Sequence, residues 1–311
     1  MASDAQMGAC PVTEHYPRLR FYTAHGDTLF REGVSIHFYM SHAHPSVAQA
    51  VLSSLEAYLR AIGPSAIGFY VDAEGESQKL DAAGWKFTQE KLLHPVGARA
   101  RLDDAEAGSY RYRFEYHGHS SNGSTRNEST PRLCVVSFWL PTEFLEEHGP
   151  ERVRELALEL ARPLPFCSGH AGLSFNGETD PLSRSDAPSE WCFRYPGVEM
   201  IHTVTLTSRL GMRLRGASWL TFLGPPVLDE LGGVAGLRSR LSSPGTHVEE
   251  LEPSRAVVTL GLAPEAGDTE QGQFLPAYRE LARILEPWLY HDPLVSRHDP
   301  DWLRWERRFL D

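Results

Sequence analysis

Histidines are the side chains whose spacing first suggests chemistry. Two pairs are separated by one residue: His42 and His44 in SHAHP, and His117 and His119 in HGHSS. On an extended strand such a pair shares a face and could bind one metal ion. Neither pair lies beside an Asp, Glu or Cys in a recognised ligand pattern, and protein metal sites need further ligands. We expect solvated imidazoles in turns and no metal site; a metal-dependent hydrolase using these histidines is the enzymatic alternative.

A second group could supply a nucleophile and a base. Cys167 and Ser168 precede His170 in the segment FCSGHAG. Adjacent positions in a loop rarely place an imidazole against the hydroxyl or thiol, and the segment lacks the G-x-S-x-G turn of a serine hydrolase. The sequence therefore favours a glycine-rich connection leading into the strand AGLSFN.

The tripeptide His-Asp-Pro occurs twice near the end of the chain, at 291–293 and 298–300. A His–Asp pair can orient an imidazole or bind a metal ion. Asp-Pro is also a common start of a turn, and no nucleophile or third ligand accompanies either copy. Two turns are the expected structure.

Paired carboxylates occur at Asp103–Asp104, Glu146–Glu147 and Glu249–Glu250. Acid–base catalysis needs carboxylates in unlike and partly desolvated settings, whereas these lie in polar segments. The chain also has no phosphate-binding loop, dinucleotide fingerprint or HExxH motif. We therefore predict no catalytic residues and no cofactor.

Composition narrows the class of protein. The 311 residues, 41% hydrophobic with a formal net charge of −11, indicate an ordinary globular protein. An acidic chain is a poor direct ligand for nucleic acid, since that affinity comes from Lys and Arg. Four widely spaced cysteines favour buried thiols in a reducing compartment, and neither an apolar signal segment nor a membrane span is present. We expect a cytoplasmic protein.

Hydrophobic periodicity predicts alternating strands and helices. In GVSIHFYM (33–40) apolar residues alternate with Ser35, His37 and Tyr39, which is typical of a half-buried strand, and a helix follows to 62. LCVVSFWL (133–140) is apolar on both faces, as in a central strand. The predicted class is α+β: a mixed sheet with helices on one face, either undivided or as two similar strand–helix halves. The expected divisions are a leader (1–20), an N-terminal half (21–120), a C-terminal half (132–290) and a tail packed on the body (291–311).

Three short elements carry a family resemblance. They are Tyr195-Pro196-Gly197, the block Gly216-Ala-Ser-Trp219-Leu220-Thr221-Phe-Leu223, and Leu231-Gly232-Gly233. With the segment 164–175 and the strand at 34–40, they make residues 30–290 similar to the bacterial type VI immunity family, formerly of unknown function. Ser218 stands where family members often have Asn.

The resemblance implies a non-enzymatic cytoplasmic antitoxin that binds a cognate secreted toxin, often a nuclease, and occludes its active site. It carries over no catalytic residues, and it implies structural roles for the motif residues. Trp219 would fill a core, while Pro196-Gly197 and Gly232-Gly233 would set turns. A scaffold protein that assembles through its aromatic strands is the remaining alternative, and the sequence is compatible with a homo-oligomer.

Charge suggests where such a toxin would bind. A nuclease needs a cationic cleft for phosphates, so an acidic protein can be steered to that cleft and occupy it. The candidate contacts are two acidic segments taken as loops and the polar loop 117–131. The acidic residues are Asp103, Asp104, Glu106, Glu249, Glu250 and Glu252.

Overall fold

A twelve-stranded sheet and eight α-helices make up the part of the chain described by the computed structural model, namely residues 16–22, 25–26, 28–105, 109–120, 132–177, 188–200, 209–291 and 300–311. The strands are Arg20–Tyr22 (β1), Thr28–Met40 (β2), Phe69–Val71 (β3), Ser77–Lys79 (β4), Gly97–Asp103 (β5), Arg113–His119 (β6), Cys134–Pro141 (β7), Ser168–Gly177 (β8), Glu199–Met200 (β9), Leu220–Leu223 (β10), Thr246–Glu252 (β11) and Arg255–Leu260 (β12). The helices are His44–Ile62 (α1), Ala82–Leu92 (α2), Thr142–Ala161 (α3), Pro188–Arg194 (α4), Val227–Glu230 (α5), Gly233–Arg240 (α6), Pro276–Leu285 (α7) and Pro300–Glu306 (α8). Single 3₁₀ turns occur at Thr269–Gln271 and Glu286–Trp288.

The sheet confirms the α+β prediction. Its strand order is β11-β12-β10-β8-β2-β7-β6-β5-β3-β4, with β1 paired to β2 and β9 to β8. The described neighbours are antiparallel apart from β8 and β9, which run parallel. The central strand β2 pairs with β7 over eight residues and with β8 over ten. Strands from the predicted ranges 21–120 and 132–290 therefore alternate within one sheet, and the division into halves stays a prediction.

Strand β2 has both faces buried. Ile36 and Phe38 point to one side and are fully buried, as alternation predicts. Ser35, His37 and Tyr39 point to the other side and are also at most 1% exposed, so the expectation of a half-buried strand was wrong. The second face is covered by later parts of the chain, which a period of two cannot reveal. As predicted from its two apolar faces, β7 is a buried interior strand.

Helices α1 and α3 pack side by side on the face of the sheet that carries Ile36 and Phe38, called here the apolar face. The Tyr58 ring lies 5.2 Å from that of Phe138 on β7, and the Tyr58 hydroxyl donates to the Trp139 carbonyl at 2.5 Å. Ser54 on α1 donates through Oγ to the carbonyl of Leu160 on α3 at 2.9 Å. Most of the energy of this contact comes from burial of the apolar stripes, because isolated helices of this length are marginal in water.

Other parts of the chain were less visible from its sequence. The region 74–109, whose sequence has no clear hydrophobic period, contains β4, α2 and β5. Strand β9 is only two residues long where it is described, and 201–208 lies outside the described residues. In the described ranges, no helix has the length and apolar character to cross a membrane.

Candidate partner-binding surfaces

The acidic segment around Asp103 is largely engaged within the fold. Asp103 ends β5, is 9% exposed, and accepts 2.6 Å hydrogen bonds from both Arg101 and Arg113. Asp104 bonds to the Ser109 hydroxyl, and burial raises the pKa of its carboxyl group. Glu106 lies outside the described residues. A partner that used Asp103 would therefore have to displace a buried arginine.

The acidic segment around Glu249 is more accessible. Glu249, Glu250 and Glu252 lie on β11, an edge strand of the sheet, and all three are exposed. Their expected placement in a loop was wrong, because charged residues here occupy both solvated faces of a strand. Glu249 bonds to Arg154 of α3 and Glu252 to Arg255 of β12, whereas Glu250 has no ion-pair partner within the described ranges. A small groove of about 160 Å³ separates these carboxylates from α3.

The two acidic segments lie far apart. Seven strand spacings separate β11 from β5 in the sheet, which corresponds to roughly 34 Å at about 4.8 Å per strand. Residues 121–131 of the polar loop, a third candidate contact, lie outside the described ranges. The acidic residues chosen from charge therefore do not form one continuous patch.

The histidine pairs occupy dissimilar sites. His42 is exposed, whereas His44 begins α1 fully buried, 2.8 Å from both the Tyr116 hydroxyl and the His94 carbonyl. His117 lies 2.8 Å from the Glu115 carboxylate, and burial lowers the pKa of His119. In the described part of the chain, no three His, Cys, Asp or Glu side chains converge on a point as metal ligands would.

Ser168 and His170 lie on the buried polar face of the sheet, not in a loop. Both project from β8, where His170 pairs with His37 and the two imidazole rings stack at 4.8 Å. Burial lowers the pKa of His170 to about 3 and that of His37 in the same direction, so both rings are neutral at pH 7. Burial also raises the pKa of Cys167 to about 11, which leaves its thiol protonated and a poor nucleophile.

A serine–histidine contact on this face lacks the geometry of a catalytic triad. Ser137 Oγ lies 3.4 Å from His37 Nε2, a long hydrogen bond. His37 Nδ1 has no hydrogen-bond partner among the described residues, and the nearby Glu115 carboxylate bonds to His117 instead. Nucleophilic catalysis needs a third group to orient the base. The sequence does not reveal this cluster, because its members lie on three different strands.

The C-terminal segment is held by Arg308, whose side chain is 9% exposed. Asp292, Pro293, His298 and Asp299 of the His-Asp-Pro repeats lie outside the described residues. Beyond them, Trp302 and Trp305 of α8 are buried, and the guanidinium of Arg308 stacks 3.6 Å from the Trp305 ring centre. Arg308 also donates to the Glu199 carboxylate at 2.8 Å. These contacts attach α8 to β9.

The Tyr195-Pro196-Gly197 motif braces a long surface loop, residues 261–275. The Gly197 N–H donates to the Ala266 carbonyl at 2.7 Å, and a Cβ added at Gly197 would come within 2.0 Å of the Glu265 carbonyl oxygen. A glycine is therefore required for this close approach. The resemblance implies a turn at this motif. The structure shows in addition that the motif supports the loop 261–275.

Arg194, next to the motif, fixes the other side of the loop. Its guanidinium lies over the stacked rings of Trp191 and Tyr195, at 5.3 and 5.2 Å, and donates to Asp268 at 2.7 Å. It also pairs with Glu270 at 2.7 Å. The motif and the loop line an open pocket of about 570 Å³, whose wall includes Tyr195 and Glu265.

Three of the remaining motif residues lie inside the fold, whereas Gly232 is exposed. Trp219 is 1% exposed, Leu220 is fully buried, and Thr221 Oγ1 bonds to the backbone of Ser218. Gly232 lies between α5 and α6 and Gly233 begins α6, with φ of 86° and 69°, a conformation that favours glycine. A Cβ added at Gly216 would meet no atom within 4 Å, so packing alone does not require a glycine there.

Comparisons with known proteins address the identity of the chain. No protein of curated function matches it. Among solved structures, a protein titled "Pseudomonas aeruginosa T6SS protein PA0821" has a similar fold, with a TM-score of 0.73 over 94% of this chain and 87% of that chain at 18% identity. The sequence profile of the TsiV family, described as type VI immunity for VRR-NUC, matches residues 50–309. Because that match covers most of the chain, including the Tyr195–Gly197 motif and the loop it braces, the protein belongs to the type VI immunity family for VRR-NUC.

Proposed function

We propose that this protein is a cytoplasmic immunity protein that binds a VRR-NUC nuclease toxin and blocks it by covering its active site. The observation that carries the proposal is the family match over residues 50–309. The protein needs no catalytic residue or cofactor for this role, because obstruction of a cleft depends on shape and charge.

The carboxylates of β11 support an electrostatic contribution. A nuclease holds its phosphate substrate with cationic side chains, and the formal net charge of −11 favours encounter with such a surface. Glu249 and Glu252 already pair with Arg154 and Arg255, but the two carboxylates are 48% and 46% exposed. Ion pairs open to solvent contribute only about 0–1 kcal/mol, so a toxin cation could share these carboxylates at little cost.

The proposal is tested by measuring association of the purified protein with a VRR-NUC domain across a range of salt concentrations. We expect stoichiometric binding that inhibits DNA cleavage. In the variant E249K/E250K/E252K, association should slow at low salt and its salt dependence should flatten. The control E74K/E76K/E90K reverses three exposed charges near the opposite end of the sheet and should bind like the wild type.

Two results would contradict these expectations differently. A wild-type protein that neither binds nor inhibits any VRR-NUC domain would refute the proposed function. Equal binding by both triple variants would remove β11 from the interface and leave the function intact.

A further inference from the structure

The loop 261–275, which is braced by the Tyr195–Gly197 motif and lines the pocket with it, exposes two large apolar side chains. Leu262 is 88% exposed and Phe274 is 58% exposed. Single exposed apolar residues are common on protein surfaces, but here two belong to one loop, and the residue next to each of them lines an open pocket whose wall includes Tyr195. Aromatic and large apolar side chains beside a pocket are typical of the centre of a protein–protein interface.

The backbone holds Phe274 in its outward position. The next residue, Leu275, is 3% exposed and has a φ of 49°, in the left-handed region that non-glycine residues rarely adopt. The Phe274 carbonyl is fixed by a 2.9 Å hydrogen bond from Arg279 Nε. Leu275 is thus anchored in the core while its neighbour faces solvent, so little backbone entropy remains to be lost at this point of the loop when a partner binds.

Carboxylates lie within this loop and along the neighbouring strand β11. Glu265 lines the pocket, and Glu270 lies on the 3₁₀ turn with a 67% exposed side chain. On the other side, the Gly261 N–H bonds to the Gly245 carbonyl at 3.1 Å, which places Leu262 beside the start of β11. Glu249 lies three residues along that strand from Thr246, about 10 Å away.

We propose that Leu262, Phe274 and Tyr195 form the apolar centre of the toxin-binding surface, with an acidic rim from Glu265, Glu270 and β11. The inference rests on the proposed function. The occupant is a segment of the VRR-NUC domain in which a large apolar side chain lies beside Lys or Arg. The apolar side chain enters the pocket and the cation meets the rim, which matches the cationic character that a nuclease needs.

The test compares two double variants that each remove two exposed apolar side chains. L262S/F274A alters the proposed centre, whereas L93S/V96S alters Leu93 (45% exposed) and Val96 (64% exposed), which lie before β5 at the other end of the sheet. Affinity for the VRR-NUC domain is measured by calorimetry, and thermal unfolding verifies that both variants fold. We expect L262S/F274A to lose about 10- to 100-fold in affinity and L93S/V96S to bind like the wild type.

Each other outcome overturns the inference. If the wild type binds and L262S/F274A binds equally well, the surface is not the toxin site, although the proposed function stands. An equal loss in both variants would show an effect without specificity for this loop. If light scattering shows a wild-type dimer that L262S/F274A converts to a monomer without loss of toxin binding, the occupant is a second copy of this chain.

Discussion

On one side of β2 and β7, Ile36, Phe38 and Phe138 pack under α1 and α3. The other side, called here the polar face, carries the polar residues Ser35 and His37, which are equally buried. Aromatic rings fill the first face, with Phe138 5.6 Å from Phe114. The second face contains buried polar atoms, among them Ser35 Oγ and the Tyr39 hydroxyl, that have no hydrogen-bond partner within the described chain. Equal burial therefore has unequal energetic consequences, because apolar packing stabilises the fold while a buried unpaired polar group costs about 1–3 kcal/mol.

The largest expected effect is on the apolar face. Phe138→Ala should lower the free energy of unfolding by about 3–5 kcal/mol, because it removes a fully buried ring between Tyr58 and Phe114. Its neighbour Ser137 points to the polar face, and Ser137→Ala should cost less than about 1 kcal/mol since its only described side-chain contact is long. Urea denaturation of both variants measures the difference. Similar losses would show that the two faces contribute alike.

The next largest effect is a dependence of the free energy of unfolding on pH, to which the histidines of the polar face contribute. Burial lowers the pKa of His170 to about 3 in the folded protein, against 6.5 for an exposed imidazole. Its contribution to stability is complete above pH 6.5 and is lost as the pH falls from 6.5 towards 3, because the unfolded chain takes up the proton first. Between pH 7.5 and 5 the free energy of unfolding should fall by about 2 kcal/mol from His170, and His37 should add to it.

The variants H170Q and H42Q test this assignment. Denaturation at pH 7.5, 6.5 and 5 should show a flatter pH dependence for H170Q and the wild-type dependence for H42Q, since His42 is exposed. Glu143, whose pKa is lowered to about 2 with Arg31 as a hydrogen-bond donor, loses its contribution only below this range. An unchanged slope in H170Q would mean that other groups cause the acid sensitivity.

The smallest expected effect compares two buried tyrosines. The Tyr58 hydroxyl donates to the Trp139 carbonyl, so Tyr58→Phe should cost about 1 kcal/mol. The Tyr39 hydroxyl has no described partner, so Tyr39→Phe should be neutral or slightly stabilising. Thermal unfolding resolves the difference, and a substantial loss from Tyr39→Phe would indicate that its hydroxyl is hydrogen-bonded in solution.

Hydrophobic periodicity was sufficient to predict the strands and helices whose sequences have a clear period. The strand at 33–40, the helix that follows it and the interior strand at 133–140 are all observed, although the first strand begins five residues earlier, at Thr28. Pattern failed at THVEELE, the edge strand β11, because carboxylates on both solvated faces resemble a polar loop. Alternation in β2 indicated two unlike faces, yet only the folded chain shows that segments distant in sequence cover the second one.

The candidate surfaces depend even more on contacts that are distant in sequence. Resemblance identified Tyr195–Gly197, but its role depends on Glu265 and Ala266, almost seventy residues later. The exposure of Leu262 and Phe274 has no signature in composition, because an apolar residue in a sequence is normally expected to be buried. Charge alone groups Asp103 with Glu249, whereas the structure separates them by seven strand spacings.

The position of β2 has a consequence for where this fold can be cut. The strand at 28–40 lies between β7 and β8, yet the family profile begins only at residue 50. A fragment trimmed to the profile would lose the middle strand of its sheet. Strands β7 and β8 would then each have an unpaired edge, and such edges promote aggregation. During synthesis, β2 can pair with β7 first, but it can pair along its second edge only after β8, which ends at residue 177, has emerged from the ribosome.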